Sequence, residues 1–217
     1  MFVITADQVD SRNQPDRAGE MMAELTRRLD DTLELPVDRT AGDEIQLLIR
    51  TAEATVTAVL ALTRSGQWSV GCGLGEVGAP LPANVREAVG PAFVAARAAV
   101  EIAKKRETRF AVRGGDSAMD AEALTDLLLQ LRGKRSSQGW ELYDLLAAGA
   151  TQATAAERLG ISPQAASKRA RAAGIRFETN AVPALCRLFG RIGADELAES
   201  GAEPAGPLSD AGDRMVS

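Results

Sequence analysis

The 217-residue chain contains no histidine. That absence excludes Ser-His-Asp and Cys-His nucleophiles, an imidazole general base, a His-bearing zinc site and an imidazole pH switch. Any catalysis has to run on carboxylates, a metal, Lys/Arg or hydroxyls. Cysteine is scarce as well: Cys72 and Cys186 are the only two. Two thiols cannot make a disulfide framework, which fits a reducing cytosol and a cytoplasmic protein. Long apolar runs are missing. The longest, 88–103, is cut by Arg97 and Glu101, short of the ~20 clean residues that a membrane span requires. The opening MFVITADQVD carries Asp7 and Asp10 without a basic stretch, unlike a signal peptide.

What is present is unevenly charged. The net charge of −5 argues against a protein that coats nucleic acid over its whole surface. By segment, however, residues 1–130 carry −6, residues 131–179 carry +4 and residues 180–217 carry −3. An acidic front, a basic middle and an acidic tail point to separate jobs. The expected layout is an α+β domain over 1–115, a connecting helix and linker over 116–135 that includes RGKRSSQG, a helical domain over 136–193 and a disordered tail over 194–217.

The front segment alternates strand and helix. FVITA is a short apolar, β-rich run. Ala18, Met21, Met22, Leu25 and Leu29 recur at helical spacing, as do Val56, Val59, Leu60 and Thr63. Residues 32–37 and 45–49 read as two strands around a turn that carries Gly42 and Asp43. Trp68, Val70, Cys72 and Leu74 alternate with Ser and Gly along another strand. A third helix follows Gly90-Pro91, and Arg109–Val112 reads as a closing strand. The order β-α-β-β-α-β followed by α-β is that of a ferredoxin-like sheet with an added unit. Four or five mostly antiparallel strands are expected, with helices on one face.

In such a sheet the first and third strands are central neighbours. Asp7 ends the first and Asp43 enters the third. Two carboxylates brought together repel unless a positive group sits between them, and a divalent metal serves because hard cations take carboxylate oxygens. Asp7 and Asp43 are therefore candidate metal ligands. Gly71 and Gly73, in GCGLGEVG, would let a ligand approach the backbone.

TAGDEIQLLI, WSVGCGLGEV and GPAFVAARAAVEIAK together resemble the core of class III nucleotidyl cyclases and their GGDEF-domain relatives. The resemblance implies that Asp7 and Asp43 hold metal, with Mg²⁺ the expected ion, and that Arg97 contacts phosphate. TADQVDSR, RTAGDE and GPAFVAAR carry a finer similarity, over most of residues 1–175, to the SatD-like family of small bacterial proteins. Phe93 stands where cyclases carry an asparagine, and their base-selecting lysine and aspartate have no clear counterparts. Loss of an orienting polar group at a reacting phosphate costs on the order of a hundredfold in rate. The front domain is thus expected to bind or sense rather than to turn over.

The basic middle, WELYDLLAAGATQATAAERLGISPQAASKRARAAG, predicts three helices. Gly160 supplies a tight turn, Ile161 an apolar plug, Ser162 a cap and Pro163 a first helical residue. This pattern is a helix-turn-helix with Ser162–Ala173 as its recognition helix, and it resembles sigma-factor region 4. Gln164, Ser167, Lys168 and Arg171 are expected at base edges; Arg169, Arg158, Lys134 and Arg135 at phosphates. Residues 181–193 predict a final helix that packs on the helix-turn-helix or contributes to a dimer.

Taken together, the residues predict a homodimeric DNA-binding transcriptional regulator. Its front domain would sense a nucleotide-type ligand or second messenger, or mediate dimerisation. A metal-dependent cyclase or related phosphoryl-transfer enzyme, and a protein-binding adaptor, are the alternatives.

Overall fold

A computed structural model describes residues 1–200 except Ala41 and Asp116, with the backbone alone over 193–200. Its order is β1 (Phe2–Gln8), α1 (Ala18–Leu29), β2 (Asp38–Arg39), β3 (Glu44–Ile49), α2 (Ala52–Leu62), β4 (Trp68–Leu74), α3 (Pro91–Ala103), β5 (Phe110–Arg113), α4 (Ala118–Gly133), α5 (Ser137–Ala147), α6 (Gln152–Arg158), α7 (Pro163–Ala172) and α8 (Ile175–Ser200). The class is α+β. One mixed sheet runs β2-β3-β1-β4-β5. All pairs are antiparallel except β4–β5, which is parallel and spanned by α3, since parallel neighbours need a long crossover. Among the described residues no helix is long and apolar enough to cross a membrane.

Alternation along β1 sends side chains to two cores. Phe2, Ile4 and Ala6 join the larger cluster with Ile45, Leu47 and Ile49, beneath α1, α2, α4 and α8. Val3 and Leu48 join a smaller one with Ala92, Phe93 and Ala96 of α3. Helices therefore cover both faces, where one covered face was expected. Strands buried on both sides read as continuous apolar runs, and all seven residues of β4 are buried.

The glycines of β4 have a different task from the one expected. A Cβ on Gly71 would lie 2.2 Å from the backbone nitrogen of Val100, and one on Gly73 would lie 2.2 Å from both Ala92 O and Ala96 N. It is helix α3 that lies against the bare backbone of β4, so these positions are closed to a ligand. The alanines at 92, 96, 99 and 103, all buried, complete this close helix–strand contact.

Three further expectations change. Residues 32–37 do not form a strand: only the bridge Leu33–Ile49 and the two-residue β2 form. Pro36 lacks a donor and restricts its neighbour, which interrupts the ladder. Helix α4, expected as a connector, places Ala118, Ala121, Leu128 and Leu129 in the main core. Helix α8 starts at Ile175 and packs Leu185, Cys186, Phe189 and Ile192 against the sheet domain, with the rings of Phe2 and Phe189 6.3 Å apart. Residues 194–200 of the expected tail continue this helix; residues 201–217 lie outside the described ones.

Gly73→Ala should lower the unfolding free energy by about 3 kcal/mol or more, because the clash is with backbone on both sides; urea denaturation measures this, and a ligand-only role for Gly73 would leave stability unchanged. Burial pushes the Cys72 thiol up to about 12. At pH 8 it is a thiol rather than a thiolate, so alkylation of Cys72 should be undetectable in the folded protein and rapid once urea unfolds it.

Candidate nucleic-acid interface

The three helices of the basic segment are delimited by their own side chains. Ser136, Thr151 and Ser162 each accept a hydrogen bond from the backbone N–H three residues on: Gly139, Thr154 and Ala165, at 3.1, 3.1 and 3.2 Å. Each satisfies a donor that the first helical turn leaves unpaired. At the other ends, Gly149 and Gly160 take φ of +86° and +63°. Gly160 N donates to Glu157 O and Ile161 N to Ala156 O; Gly149 N to Leu146 O and Ala150 N to Leu145 O. This paired pattern is the Schellman motif, and glycine enters it without a Cβ penalty. A lean core of Leu142, Ala155, Ala173 and Ile175, flanked by Leu145, Leu146, Leu159 and Ala170, holds the helices together. Ala166 is fully buried, whereas Ile161, expected as the plug, is half-buried.

On α7, Gln164, Lys168 and Arg171 are exposed and stand at i, i+4 and i+7, one stripe of the helix. Ser167 is half-buried; with Arg171 it borders an apolar-lined groove of about 650 Å³ beside Phe177 of α8. Phe177 is exposed and was not singled out from the sequence, where it continues no apolar stripe. Arg158 and Lys134 are exposed. Arg169 is half-buried and 3.8 Å from Glu141.

Arg135 is not at a phosphate-facing surface. Its side chain is 0% exposed and its guanidinium lies 2.6 Å from Glu178 Oε2, with Nε donating to Ala173 O at the end of α7. Arg132, at 5% exposed, bonds the other Glu178 oxygen and donates from Nη2 to Leu60 O near the end of α2 at 2.9 Å. Both guanidiniums thus meet helix C-terminal carbonyls, where cations are favoured. Above them lies Trp140, its ring centroid 4.3, 4.4 and 4.8 Å from the guanidinium carbons of Arg135, Arg64 and Arg132. Asp144 accepts a two-point bond from Arg64 at 2.7 and 2.8 Å and raises the guanidinium's pKa above its ordinary value. The charge run read as a linker is therefore the joint between α2, α4, α5, α7 and α8. One signal was available: Thr125, Leu128, Leu129 and Arg132 share a helical stripe, which puts the arginine on the buried face.

No family model, curated protein or solved structure matches the chain. What the front domain can do therefore rests on its own geometry. Asp7 stands opposite Glu44 on β3, and Asp43 O accepts from Gln8 N at 3.4 Å, so both aspartates reach the same end of the sheet. Cations from α3 meet this carboxylate group: Lys104 Nζ is 3.0 Å from Asp7 and 2.8 Å from Glu101, and Arg97 Nη2 is 3.3 Å from Glu44. Those carboxylates raise the pKa of Lys104, against its partial burial. Among the described residues no three metal-capable side chains cluster. An ammonium and a guanidinium thus offset the charges of Asp7 and Glu44 at this end of the sheet. Arg97 also borders an open cleft of about 600 Å³ with Phe93, Val89 and Arg86.

Glu178→Gln leaves two buried guanidiniums without their counter-charge. It should destabilise the fold by about 3–5 kcal/mol, read as a lower urea midpoint with the m-value unchanged.

Proposed function

We propose that the chain is a DNA-binding regulator in which α5, α6 and α7 form a helix-turn-helix and α7 is the recognition helix. The observation that carries the reading is the Gln164, Lys168 and Arg171 stripe. Long polar and cationic side chains stand free on a short helix whose entry is set by Gly160 and Ser162. Gln offers a two-point match to adenine, and Lys and Arg to guanine, in the major groove. Arg158 and Lys134 suit phosphates, and Arg169 joins them where DNA displaces Glu141. Ser167 and Arg171 lie beside Phe177, whose ring supplies an apolar contact of the kind that thymine methyl groups accept. Arg135 has no part in this interface.

The sheet domain is assigned a non-catalytic role. Its strand order suits a ferredoxin-like, cyclase-related domain, and Lys104 offsets Asp7, one of the two carboxylates that an enzyme would give to metal. A lean three-helix core that reads one half-site gives modest affinity, so a homodimer with two reading heads fits the task. Phosphoryl transfer at Asp7 and Asp43 with Mg²⁺ is the second reading, and it requires the ion to displace Lys104. Calorimetric Mg²⁺ binding that vanishes in Asp43→Asn would favour it.

Selection from a random DNA pool should enrich a defined sequence. Lys168→Ala with Arg171→Ala should weaken its binding by at least 1–3 kcal/mol per lost base contact at physiological salt, measured by fluorescence anisotropy. Full affinity in that double variant overturns the assignment of α7.

A further inference from the structure

Beside the arginine joint lies a polar cleft of about 540 Å³. Its walls are the turn after α2 (Thr63, Arg64, Ser65), Trp68, the loop entering β5 (Thr108, Arg109) and the end of α4 (Arg132, Lys134). Four cations border it, Arg64, Arg109, Arg132 and Lys134, against the single acid Glu107. This is a concentrated positive wall in a chain of net charge −5.

The cations are incompletely compensated. Around Trp140, the three guanidiniums of Arg64, Arg132 and Arg135 share two carboxylates, Glu178 and Asp144. The Arg64–Asp144 pair is partly exposed, but Arg132 and Arg135 are buried and share the single carboxylate of Glu178, so one formal positive charge is left over there, an expensive arrangement unless something neutralises it. Arg132 Nε and Arg135 Nη1 are buried without a hydrogen-bond partner, and Arg132 borders the cleft. Neither Arg109 nor Lys134 has an ion-pair partner among the described residues; Arg109 donates only to Ser69 Oγ at 3.3 Å. The threonine hydroxyls are already spent as donors, Thr63 on Val59 O and Thr108 on Asp126. Cationic N–H groups thus dominate the remaining donors, with Ser65 and Gln130 among the neutral ones on the walls. Four such cations against one carboxylate, Glu107, recognise an oxyanion, and the planar forks of two arginines suit the oxygens of phosphate.

The geometry points to a phosphate-binding site in this cleft, at the joint between the sheet and the three-helix unit, for inorganic phosphate or the phosphoryl group of a small phosphomonoester. The site requires no DNA and is separate from Asp7 and Asp43; of the residues assigned to the DNA face it shares only Lys134, so the reading of α7 stands or falls apart from it. Arg109 and Lys134 close over the phosphate from two walls, and Arg132 supplies the buried positive charge. Because Arg132 also touches Glu178 and Trp140, an anion here bears on the contacts that hold α5 and α8.

The test is titration of the full chain with inorganic phosphate, AMP and adenosine, followed by calorimetry and tryptophan fluorescence. Trp68 borders the cleft, Trp140 stacks on Arg132, and the chain has only these two tryptophans. Phosphate and AMP should bind and compete with each other, and adenosine should not bind. AMP binding about tenfold tighter than phosphate assigns a nucleotide; equal affinity assigns the free anion. Arg109→Gln with Lys134→Gln, both outside the buried joint, should weaken phosphate at least about tenfold at an unchanged melting temperature. Lys134→Gln alone, an exposed change, should weaken it several-fold. No binding of phosphate or AMP up to about 10 mM, or equal binding by the double variant, overturns the site.

Discussion

The buried carboxylate of Glu178, held between Arg132 and Arg135, is the interaction on which the rest of the arrangement depends. Ions this deep repay their desolvation only when the geometry is good and their remaining hydrogen-bonding groups find partners. Here each guanidinium has a carboxylate oxygen, a helix-terminal carbonyl and the face of Trp140, while Arg132 Nε and Arg135 Nη1 keep no hydrogen-bond partner. Those contacts tie five helices to one point. Apolar residues could fill the same volume, but they would not dictate which helix ends meet there. Two carbonyls, two carboxylate oxygens and two forks fit together in one way.

Helix α8 carries that constraint from one half of the chain to the other. Its first turns supply Ile175 to the three-helix core and Glu178 to the joint; its middle supplies Leu185, Phe189 and Ile192 to the sheet. The basic unit is consequently fixed on the acidic domain rather than tethered to it. Helix α7 is thereby held in a set direction, and a change at the joint reaches it through Ala173 O and Arg135.

Three groups of cations differ in what surrounds them. Arg132 and Arg135 are buried and share one carboxylate, Glu178. Lys104 and Arg97 sit on α3 and hold the carboxylates at the end of β1 and β3. Lys168, Arg171, Arg158 and Lys134 are free at the surface. Sequence counting sees one +4 segment over 131–179; the fold buries Arg132 and Arg135 and leaves Lys134, Arg158, Lys168 and Arg171 exposed, and burial decides whether a charge is available to a partner.

Local chemistry was legible in the chain itself. Ser162-Pro163, Gly149 and Gly160 mark helix limits through bonds that span three to five residues, and the aliphatic stripes of α1 and α2 mark buried residues by period alone. Pairing of β1 with β3 followed from the order of elements. The meaning of Gly71 and Gly73 was not legible: a bare backbone invites either a ligand or a helix, and only the fold placed α3 there. Arg135 was equally ambiguous, since a cation beside a linker looks like a phosphate contact until Glu178, 43 residues away, closes on it. Sequence alone determined what each segment could form, because caps and periodicity act within a few residues. Tertiary structure alone decided which charges remain free, because that depends on partners the chain brings from far away.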